Sequence, residues 1–380
     1  MNNCLIIAGE KSGEEHGMTF LKDLKELSPD THFWGVGGDE FKSNDVELLY
    51  HLNEFNAFGF SEVIKKLPYY IKALSRFDKE VAKRDTKVAI LIDFQDFNLR
   101  LARKLKKRGV KVLYYVAPTA WVWKEWRAEV LANVVHSLFA IFKFEKEWFG
   151  NKGVKKVINI THPLWTRYKH LLNDKLGIEH KTFDSINKEA NILLLPGSRR
   201  FEIEFLLPIY AKAALKLKES HNIKISIVKS SSVPAEVFTE YDQIFDVIYS
   251  DKEIHNALTD ADLAIAASGT VTLTTALFEV PTVVCYKLSR FNKFIYDRLV
   301  KYTGPVSMAN IVHGKRIFKE LLQEEATDNN IVAELKSILS SESKYNEIKA
   351  DLAKTRDHLI GDDVSVAEYI SKVINKSYKK

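Results

Sequence analysis

Apolar residues along this chain follow two patterns that alternate. In the first pattern, short and nearly continuous apolar runs occupy positions 3–8, 32–36, 87–92, 111–116, 136–142 and 154–160. In the second, apolar residues recur every three to four positions, as at 61–84 and 98–108, which is the spacing of an amphipathic helix. Buried strands separated by helices indicate a parallel sheet that helices cover on both faces.

The same alternation starts again after a change in composition. Residues 166–189 are polar and charged without clear periodicity, and apolar runs return at 190–195, 223–228, 262–267 and 282–286. We therefore predict an α/β fold of two tandem Rossmann-like, doubly wound domains with an interdomain cleft. The domains are predicted at 1–165 and 190–355, with a linker at 166–189 and a C-terminal helix at 356–380.

Composition narrows the function classes. The 380 residues carry a net charge of only +6, from 56 basic and 50 acidic side chains, which argues against a dedicated nucleic-acid-binding protein. Cys4 and Cys285 lie far apart, which favours a reducing compartment over a disulfide framework or a zinc site. No basic region precedes the first apolar run, and no run approaches the ~18 residues of a spanning helix, so a soluble or peripheral protein is expected.

Two strand-end loops of the first half carry carboxylates. In AGEKSGEEHG (8–17), Ser12 is expected to cap the next helix, and Glu10 is placed to orient a hydroxyl or amine of a ligand. In LIDFQDFN (91–98), Asp93 and Asp96 close a buried strand. These two carboxylates suit a general base, although Asp96 could equally be a helix N-cap, and Asn98 adds an amide nearby.

Two loops of the second half have the character of anion sites. In PGSRR (196–200), two arginines stand at a helix N-terminus, where the helix dipole is already positive, so an anion is expected beside them. In the loop that begins at 267, Ser268, Gly269 and Thr270 offer amides and hydroxyls at a second helix N-terminus. Together they predict a diphosphate-containing ligand, and no Walker A motif is present.

Three further features have two interpretations each. The aromatic loop YVAPTAWVWKEWR (115–127) is either packed on its own rings or forms a rim that holds a sugar or an acyl chain. His162, between the halves, is either functional or a satisfied loop histidine. An apolar stripe along 58–77 belongs to the core or faces a membrane interface, and Pro68 is expected to bend or divide its helix.

Several of these motifs occur together in a known family. The segments AGEKSGE, FGFSEVI, IDFQDFN, YYVAPTAWVWK, LLPGSRRFEIE, ASGT and ANIVHGKRIFKELLQEE follow one another across roughly residues 5–325. In this order they resemble the lipid-A-disaccharide synthase family, inverting glycosyltransferases of the GT-B fold. The resemblance implies a UDP-2,3-diacylglucosamine donor, bound mainly by the C-terminal half, and a 2,3-diacylglucosamine 1-phosphate acceptor on the N-terminal half. It also implies no metal or cofactor and a peripheral position on the cytoplasmic face of the inner membrane.

The resemblance also assigns roles to residues. It makes Asp96 the base for the acceptor 6-hydroxyl, with Glu10 beside the acceptor and Arg199 as the cation that stabilises the leaving diphosphate. Arg200 stands at a position where other members of the family tolerate small residues, and it is expected to be a solvated neighbour. The remaining expected contacts are Ser198, Ser268, Gly269, Thr270 and Asn310 for the donor, Ser12, Asn98, Trp121 and His162 for the acceptor rim, and Phe60, Ile64, Leu67 and Ile71 for the membrane.

Some positions depart from the family pattern. Thr274 stands where the family has a glutamate, a position where GT-B enzymes commonly bind the ribose hydroxyls, and Glu279 lies too far round the helix to replace it. Glu14 stands for an aspartate, and Lys124 for an arginine. Two alternatives remain open, a UDP-sugar 2-epimerase of the same fold and a non-catalytic, membrane-peripheral nucleotide-sugar-binding protein.

Overall fold

The computed structural model describes residues 2–55, 60–122, 124–173, 182–288 and 303–379. For residues 60–65 and 173 the description covers the backbone only. Its contacts divide the chain into two compact units. The first comprises Met1–Pro163 and Ile360–Lys380, and the second comprises Leu164–Leu359. Each unit is built around its own parallel sheet.

The first unit contains a seven-stranded sheet in the order β3-β2-β1-β4-β5-β6-β7. Its strands are β1 (Asn2–Ala8), β2 (Thr31–Gly37), β3 (Glu47–His51), β4 (Val88–Ile92), β5 (Lys111–Tyr115), β6 (Val135–Ala140) and β7 (Val157–Asn159). The strand order reverses between β1 and β4, where Ala8 pairs with Ile92. Ligands of doubly wound sheets bind at such a reversal, beyond the carboxyl ends of the strands, so the loops that carry Glu10 and Asp93 start side by side.

Helices cover both faces of this sheet. They are α1 (Lys11–Leu27), α2 (Asp39–Ser43), α3 (Leu52–Phe55), α4 (Phe60–Lys83), α5 (Gln95–Lys107), α6 (Trp126–Val134) and α7 (Lys143–Asn151). The C-terminal helix of the chain, Val366–Tyr378, belongs to this unit too. Its apolar face, which includes Ile370 and Ile374, packs with Phe20 and Leu24 of α1 in one buried cluster.

The second unit contains a six-stranded sheet in the order β10-β9-β8-β11-β12-β13. The strands are β8 (Ala190–Leu195), β9 (Ile223–Lys229), β10 (Val247–Ser250), β11 (Leu263–Ala267), β12 (Thr282–Tyr286) and β13 (Lys319–Leu322). The order reverses between β8 and β11, where Leu195 pairs with Ala266. The PGSRR loop follows β8 and the Ser268 loop follows β11, so both predicted anion loops leave neighbouring strand ends.

The helices of the second region follow in chain order. They are α8 (Pro163–Asn173), α9 (Phe183–Lys188), α10 (Arg200–Lys218), α11 (Ile254–Asp260), α12 (Thr270–Leu277), α13 (Met308–His313), α14 (Asp328–Leu339), α15 (Glu342–Leu352) and α16 (Thr355–Leu359). Short 3₁₀ turns occur at Ala235–Val237, Thr239–Ile244, Asp251–Glu253 and Gln323–Glu325. Within the described ranges, no helix combines the length and the apolar character needed to cross a bilayer.

Two expected features take a more definite form in the structure. The described parts of the expected linker form helices α8 and α9, because aromatic side chains anchor them: Trp165 and Tyr168 are buried, and Tyr168 packs edge-on against Phe278. Pro68 does not divide α4, which runs unbroken from Phe60 to Lys83. The C-terminal part of that helix buries Phe77 and Val81 in the core, which offsets the backbone hydrogen bond that proline removes.

Candidate active site

A cavity of about 870 Å³ lies at the strand-order reversal of the first unit. Its lining includes the acidic residues Glu10, Asp93 and Asp96. Apolar and aromatic side chains of α4 and α5 also line it. A pocket of this size with a few convergent polar groups is the usual form of a small-molecule site.

Asp93 occupies the sharp turn between β4 and α5. Both Asp93 and Phe94 adopt left-handed backbone conformations with φ of 43°, which cost of order 1–3 kcal/mol each and persist only when the surroundings hold them. Two buried side chains do so: Asn98 Nδ2 and the Tyr114 hydroxyl each donate a hydrogen bond of 2.8 Å to the Asp93 carbonyl. Burial raises the pKa of the Asp93 carboxyl to about 6, and the nearby charge of Glu10 adds to that rise.

Asp96 has the opposite environment. Its side chain is 65% exposed, and it accepts a 2.8 Å hydrogen bond from Arg127 Nη2, with Lys124 Nζ at 3.7 Å. Partial burial would raise the pKa of Asp96, but the hydrogen bond and charge of Arg127, aided by Lys124, outweigh it and hold this pKa below its ordinary value. Asp96 is also not the N-cap of α5, because that helix begins at Gln95.

The two aspartates are therefore not equivalent as bases. A carboxyl with a pKa near 6 is ionised at neutral pH yet accepts a proton more readily than one held ionised by an arginine. Asp93 therefore joins the expected Asp96 as a candidate proton acceptor, and its environment suits that role better. Asn98 holds the backbone of the loop and is fully buried, so it does not line the cavity. The partners Tyr114 and Arg127 come from β5 and α6 and belong to no motif that would identify them in the sequence.

Around the first glycine-rich loop, Glu10 lines the cavity and is exposed. Ser12 does not cap α1, because the helix begins at Lys11 and Glu10 is its N-cap residue. Glu14 is buried and accepts hydrogen bonds from the amides of Gly38 and Phe41, at 2.6 and 2.9 Å. The glutamate at the family's aspartate position therefore anchors the neighbouring turn and α2.

Two expected rim residues lie elsewhere. Trp121 Nε1 donates a 3.1 Å hydrogen bond to the buried Glu145, and its ring packs edge-on against Phe144. His162 is buried beside Phe142, and burial lowers its pKa to about 3, so it is neutral at physiological pH. Neither lines the cavity, whereas the half-exposed Trp126 of the same aromatic loop does.

The apolar stripe of α4 divides between core and surface. Leu74 is buried, but Leu67 and Ile71 are 45% and 57% exposed and line the cavity. Such exposure of large aliphatic side chains on one helix face is typical of a surface that meets lipid or an apolar ligand. The side chains of Phe60 and Ile64, the other two expected membrane contacts, lie outside the described part of the chain.

A second cavity, of about 470 Å³, lies at the strand-order reversal of the second unit. Its lining includes all the loop residues expected there, namely Ser198, Arg199, Ser268, Gly269 and Thr270. Ser230, Ser232 and Asp251 join them from loops that carry no glycine-rich or arginine signal. Arg200 does not line it and instead pairs with Glu204, at 2.7 Å.

The helix mouth in this cavity already holds an anion. Glu202 Oε2 accepts hydrogen bonds from the amides of Ser198 and Arg199 at 3.3 Å, and its other oxygen accepts one from Arg199 Nη1 at 3.2 Å. Gly197 has φ of 114°, and a Cβ there would lie 2.6 Å from the Glu202 carboxylate, so only glycine permits this arrangement. The charge at the helix N-terminus is thus balanced within the protein.

Two residues near the second cavity have structural roles. Asn310, an expected donor contact, is fully buried: Nδ2 donates to the Phe318 carbonyl and to Glu320, and Oδ1 accepts from the Phe318 amide, all at 2.9 Å. Its amide joins α13 to β13 and does not reach the cavity. Thr274 is buried with its hydroxyl 3.4 Å from the Thr270 carbonyl, and Glu279 pairs with Lys349 at 3.5 Å.

Comparison with known proteins identifies relatives along the whole chain. The family model described as lipid-A-disaccharide synthetase matches residues 4–374. A lipid-A-disaccharide synthase from Francisella philomiragia is 31% identical over 98% of this chain and 99% of the relative. One from Geobacter sulfurreducens is 30% identical over 93% of this chain and 92% of the relative.

Solved structures share the fold at low sequence identity. A putative UDP-N-acetylglucosamine 2-epimerase from Listeria monocytogenes has a TM-score of 0.61 and 13% identity, covering 99% of this chain and 96% of that one. MurG from Acinetobacter baumannii has a TM-score of 0.57 and 12% identity, covering 99% of each chain. These neighbours confirm the predicted GT-B class of two parallel-sheet α/β domains with a helical C-terminal region, and at such identities they speak to the fold alone.

Proposed function

The chain belongs to the lipid-A-disaccharide synthase family, and we propose on this premise how its two cavities divide the reaction of that family. The reaction transfers 2,3-diacylglucosamine from UDP to the 6-hydroxyl of 2,3-diacylglucosamine 1-phosphate. The anomeric carbon inverts, and the products are the β-1,6-linked disaccharide 1-phosphate and UDP. The cavity of the first unit would take the acceptor, and that of the second would take the donor.

On the acceptor side, Asp93 would serve as the general base. As the acceptor O6 bonds to the anomeric carbon of the donor, the carboxylate removes the proton from O6. The anomeric C–O bond to the β-phosphate breaks at the same time, and its electron pair leaves with UDP. The turn held by Asn98 and Tyr114 keeps the carboxylate aimed into the cavity, and Glu10 beside it would orient the acceptor.

On the donor side, Arg199 and the amides at the two helix mouths would stabilise the diphosphate as its charge grows. Preorganised donors of this kind are worth about 2.7–4 kcal/mol each when they act on charge that develops in the transition state. For the diphosphate to bind the α10 mouth, the Glu202 carboxylate must give way. Ser268, Gly269 and Thr270 offer the second set of donors, at the start of α12.

One observation carries this proposal: the Asp93 carboxyl, with its raised pKa, and exposed apolar side chains line the same cavity. The chain that contains this cavity matches the family over residues 4–374. A UDP-sugar 2-epimerase has no use for such an apolar lining, and its likeness to this chain extends to the fold alone. Leu67 and Ile71, exposed at the same cavity, support a peripheral position on the cytoplasmic face of the inner membrane, where both acylated substrates lie.

The direct test is to incubate the purified protein with both acylated substrates and to separate the products. Formation of UDP and the disaccharide 1-phosphate in equal amounts, with loss of both in Asp93→Asn, is the expected result. A UDP-sugar epimerised at C2 would favour the epimerase alternative. Tight donor binding without any product would favour the non-catalytic alternative.

A further inference from the structure

Two arginines of the first cavity have no part in the chemistry described above. Arg100 and Arg103 project from α5, are exposed, and line the cavity. Neither forms a salt bridge with any residue in the described ranges. Asp96, the nearest carboxylate along the helix, already pairs with Arg127 and Lys124. The two guanidinium groups therefore add positive charge to the cavity lining, and Asp96 interacts with Arg100 through its charge without forming a salt bridge to it.

Their spacing along the helix sets where an anion would lie. Asp96, Arg100 and Arg103 occupy positions i, i+4 and i+7, which share one face of α5. At a rise of 1.5 Å per residue, Arg100 lies about 6 Å and Arg103 about 10 Å beyond Asp96 along the helix axis. An anion held by these arginines would thus be separated from the catalytic turn at the start of α5 by about the width of one hexose ring.

The apolar lining of the cavity restricts the kind of anion. Leu67 and Ile71 of α4 expose aliphatic surface in the same cavity as the two arginines. Free phosphate or a nucleotide would gain nothing from that surface, whereas an acylated sugar that carries a phosphate matches both the apolar and the charged lining. Guanidinium groups suit the phosphate in particular, because their planar array of N–H donors binds two of its oxygens at once.

We propose that Arg100 and Arg103 form the binding site for the anomeric phosphate of the acceptor. This inference rests on the proposed function, since it takes the acceptor to be an acylated glucosamine 1-phosphate. With the phosphate held by the arginines, the 6-hydroxyl at the far side of the sugar ring points back toward Asp93. Arg100 and Arg103 would then select phosphorylated acceptors and set the orientation in which the base meets its proton.

The test compares two acceptors in three variants. Steady-state rates and equilibrium binding in detergent micelles are measured with 2,3-diacylglucosamine 1-phosphate and with the same lipid lacking phosphate. The variants are Arg100→Gln, Arg103→Gln and Lys106→Gln, the last removing an exposed charge of α5 that does not line the cavity. In each arginine variant, KM and Kd for the phosphorylated acceptor are expected to rise about tenfold. The donor KM, and binding of the unphosphorylated lipid, should stay within about twofold of the parent, as should all values for Lys106→Gln.

Different failures separate the two ideas. Equal losses with both acceptors, or unchanged Kd for the phosphorylated one, would overturn the phosphate site. Weaker binding of the arginine variants to phosphatidylglycerol vesicles with normal acceptor Kd would assign the arginines to lipid headgroups and overturn it as well. Because the binding arm needs no turnover, absence of disaccharide in the parent protein would count against the proposed function, and the Kd comparison would still decide the phosphate site.

Discussion

Asp93→Asn is expected to abolish catalysis and to stabilise the protein, and both effects have one cause. The carboxyl sits where its ionised form is disfavoured, because burial and the charge of Glu10 raise its pKa from 3.8 to about 6. This difference of roughly 2 pKa units corresponds to about 3 kcal/mol at 1.36 kcal/mol per unit. Asparagine fills the same space without a charge, so the variant avoids that cost.

The sign of the stability difference between Asp93→Asn and the parent, and the pH range in which it develops, follow from the linkage between proton binding and folding. Below about pH 4 the carboxyl is protonated in both the folded and the unfolded chain, so the two proteins should have similar stability. As pH rises through 4 to 6, the unfolded chain ionises first and the parent loses stability relative to Asp93→Asn. Above pH 6 the full difference of about 3 kcal/mol remains. For a unit of this size, that corresponds to a melting temperature roughly 6–12 °C higher in the variant.

The assays are thermal unfolding from pH 4 to pH 8 and kcat/KM over the same range. In the parent, kcat/KM should rise with pH to a plateau above about pH 6, as Asp93 ionises. In Asp93→Asn the rate should lie about 10²–10⁴ below the plateau of the parent and should not rise with pH in this way. Asp96→Asn is the matched control: Arg127 holds the pKa of Asp96 low, so this variant should lose stability at neutral pH and keep most of its activity.

Two results would refute this reasoning. If Asp93→Asn kept more than a tenth of the parent activity, Asp93 would not be the base. If its melting temperature differed from that of the parent by the same amount at pH 4 and at pH 7.5, the raised pKa would not be present in the folded protein.

Three other predictions concern individual residues. Arg199→Ala should lower kcat by about 10²–10³, because it removes charge that stabilises the diphosphate. Arg200 pairs with Glu204 outside the cavity, so kcat of Arg200→Ala should stay within about twofold of the parent. Equal losses of kcat in the two variants would contradict the role given to Arg199. Asn310→Ala should lower the free energy of unfolding by roughly 2–4 kcal/mol in denaturant titrations, because its buried partners lose their hydrogen bonds. The donor KM should not change. A raised donor KM would mean that Asn310 contacts the donor. The double variant Leu67→Ser, Ile71→Ser should shift from the vesicle fraction to solution in flotation assays, without a lower melting temperature. Unchanged partitioning would mean that this surface contacts the acceptor and not the membrane.

The sequence predicted those elements whose environment is uniform. Central strands such as β4 and β8 are buried on both faces, so their residues form continuous apolar runs that need no further context. Three edge strands, β3, β10 and β13, were missed. The side chains of β3 and β10 are exposed or half-buried, and β13 buries only two of its four residues, so no continuous apolar run exists there. The aromatic anchors that turn the expected linker into helices act through packing, which spacing along the chain does not reveal.

The candidate site shows the same division. Motif order placed Glu10, Asp93, Ser198 and Ser268 at strand ends correctly, because parallel strands bring their carboxyl ends to one edge. It could not rank Asp93 against Asp96, since the ranking depends on Arg127, 31 residues beyond Asp96, and on how deeply each carboxyl is buried. Motif order also could not show that Asn310 and Asn98 are buried and hydrogen-bonded within the protein, because an amide that joins two elements and one that binds a ligand are the same residue type in the sequence.

The carboxylate of Glu202 has a consequence for the catalytic cycle. It is an intramolecular competitor that holds the amides of Ser198 and Arg199 before any donor arrives. Because it is tethered one turn away, its effective concentration at the helix mouth stays high whatever the cellular level of donor. In the proposed reaction this carboxylate would preserve the shape of the loop between turnovers. Because it competes with the donor diphosphate and with UDP for the same amides, it would lower the affinity for both and speed product release.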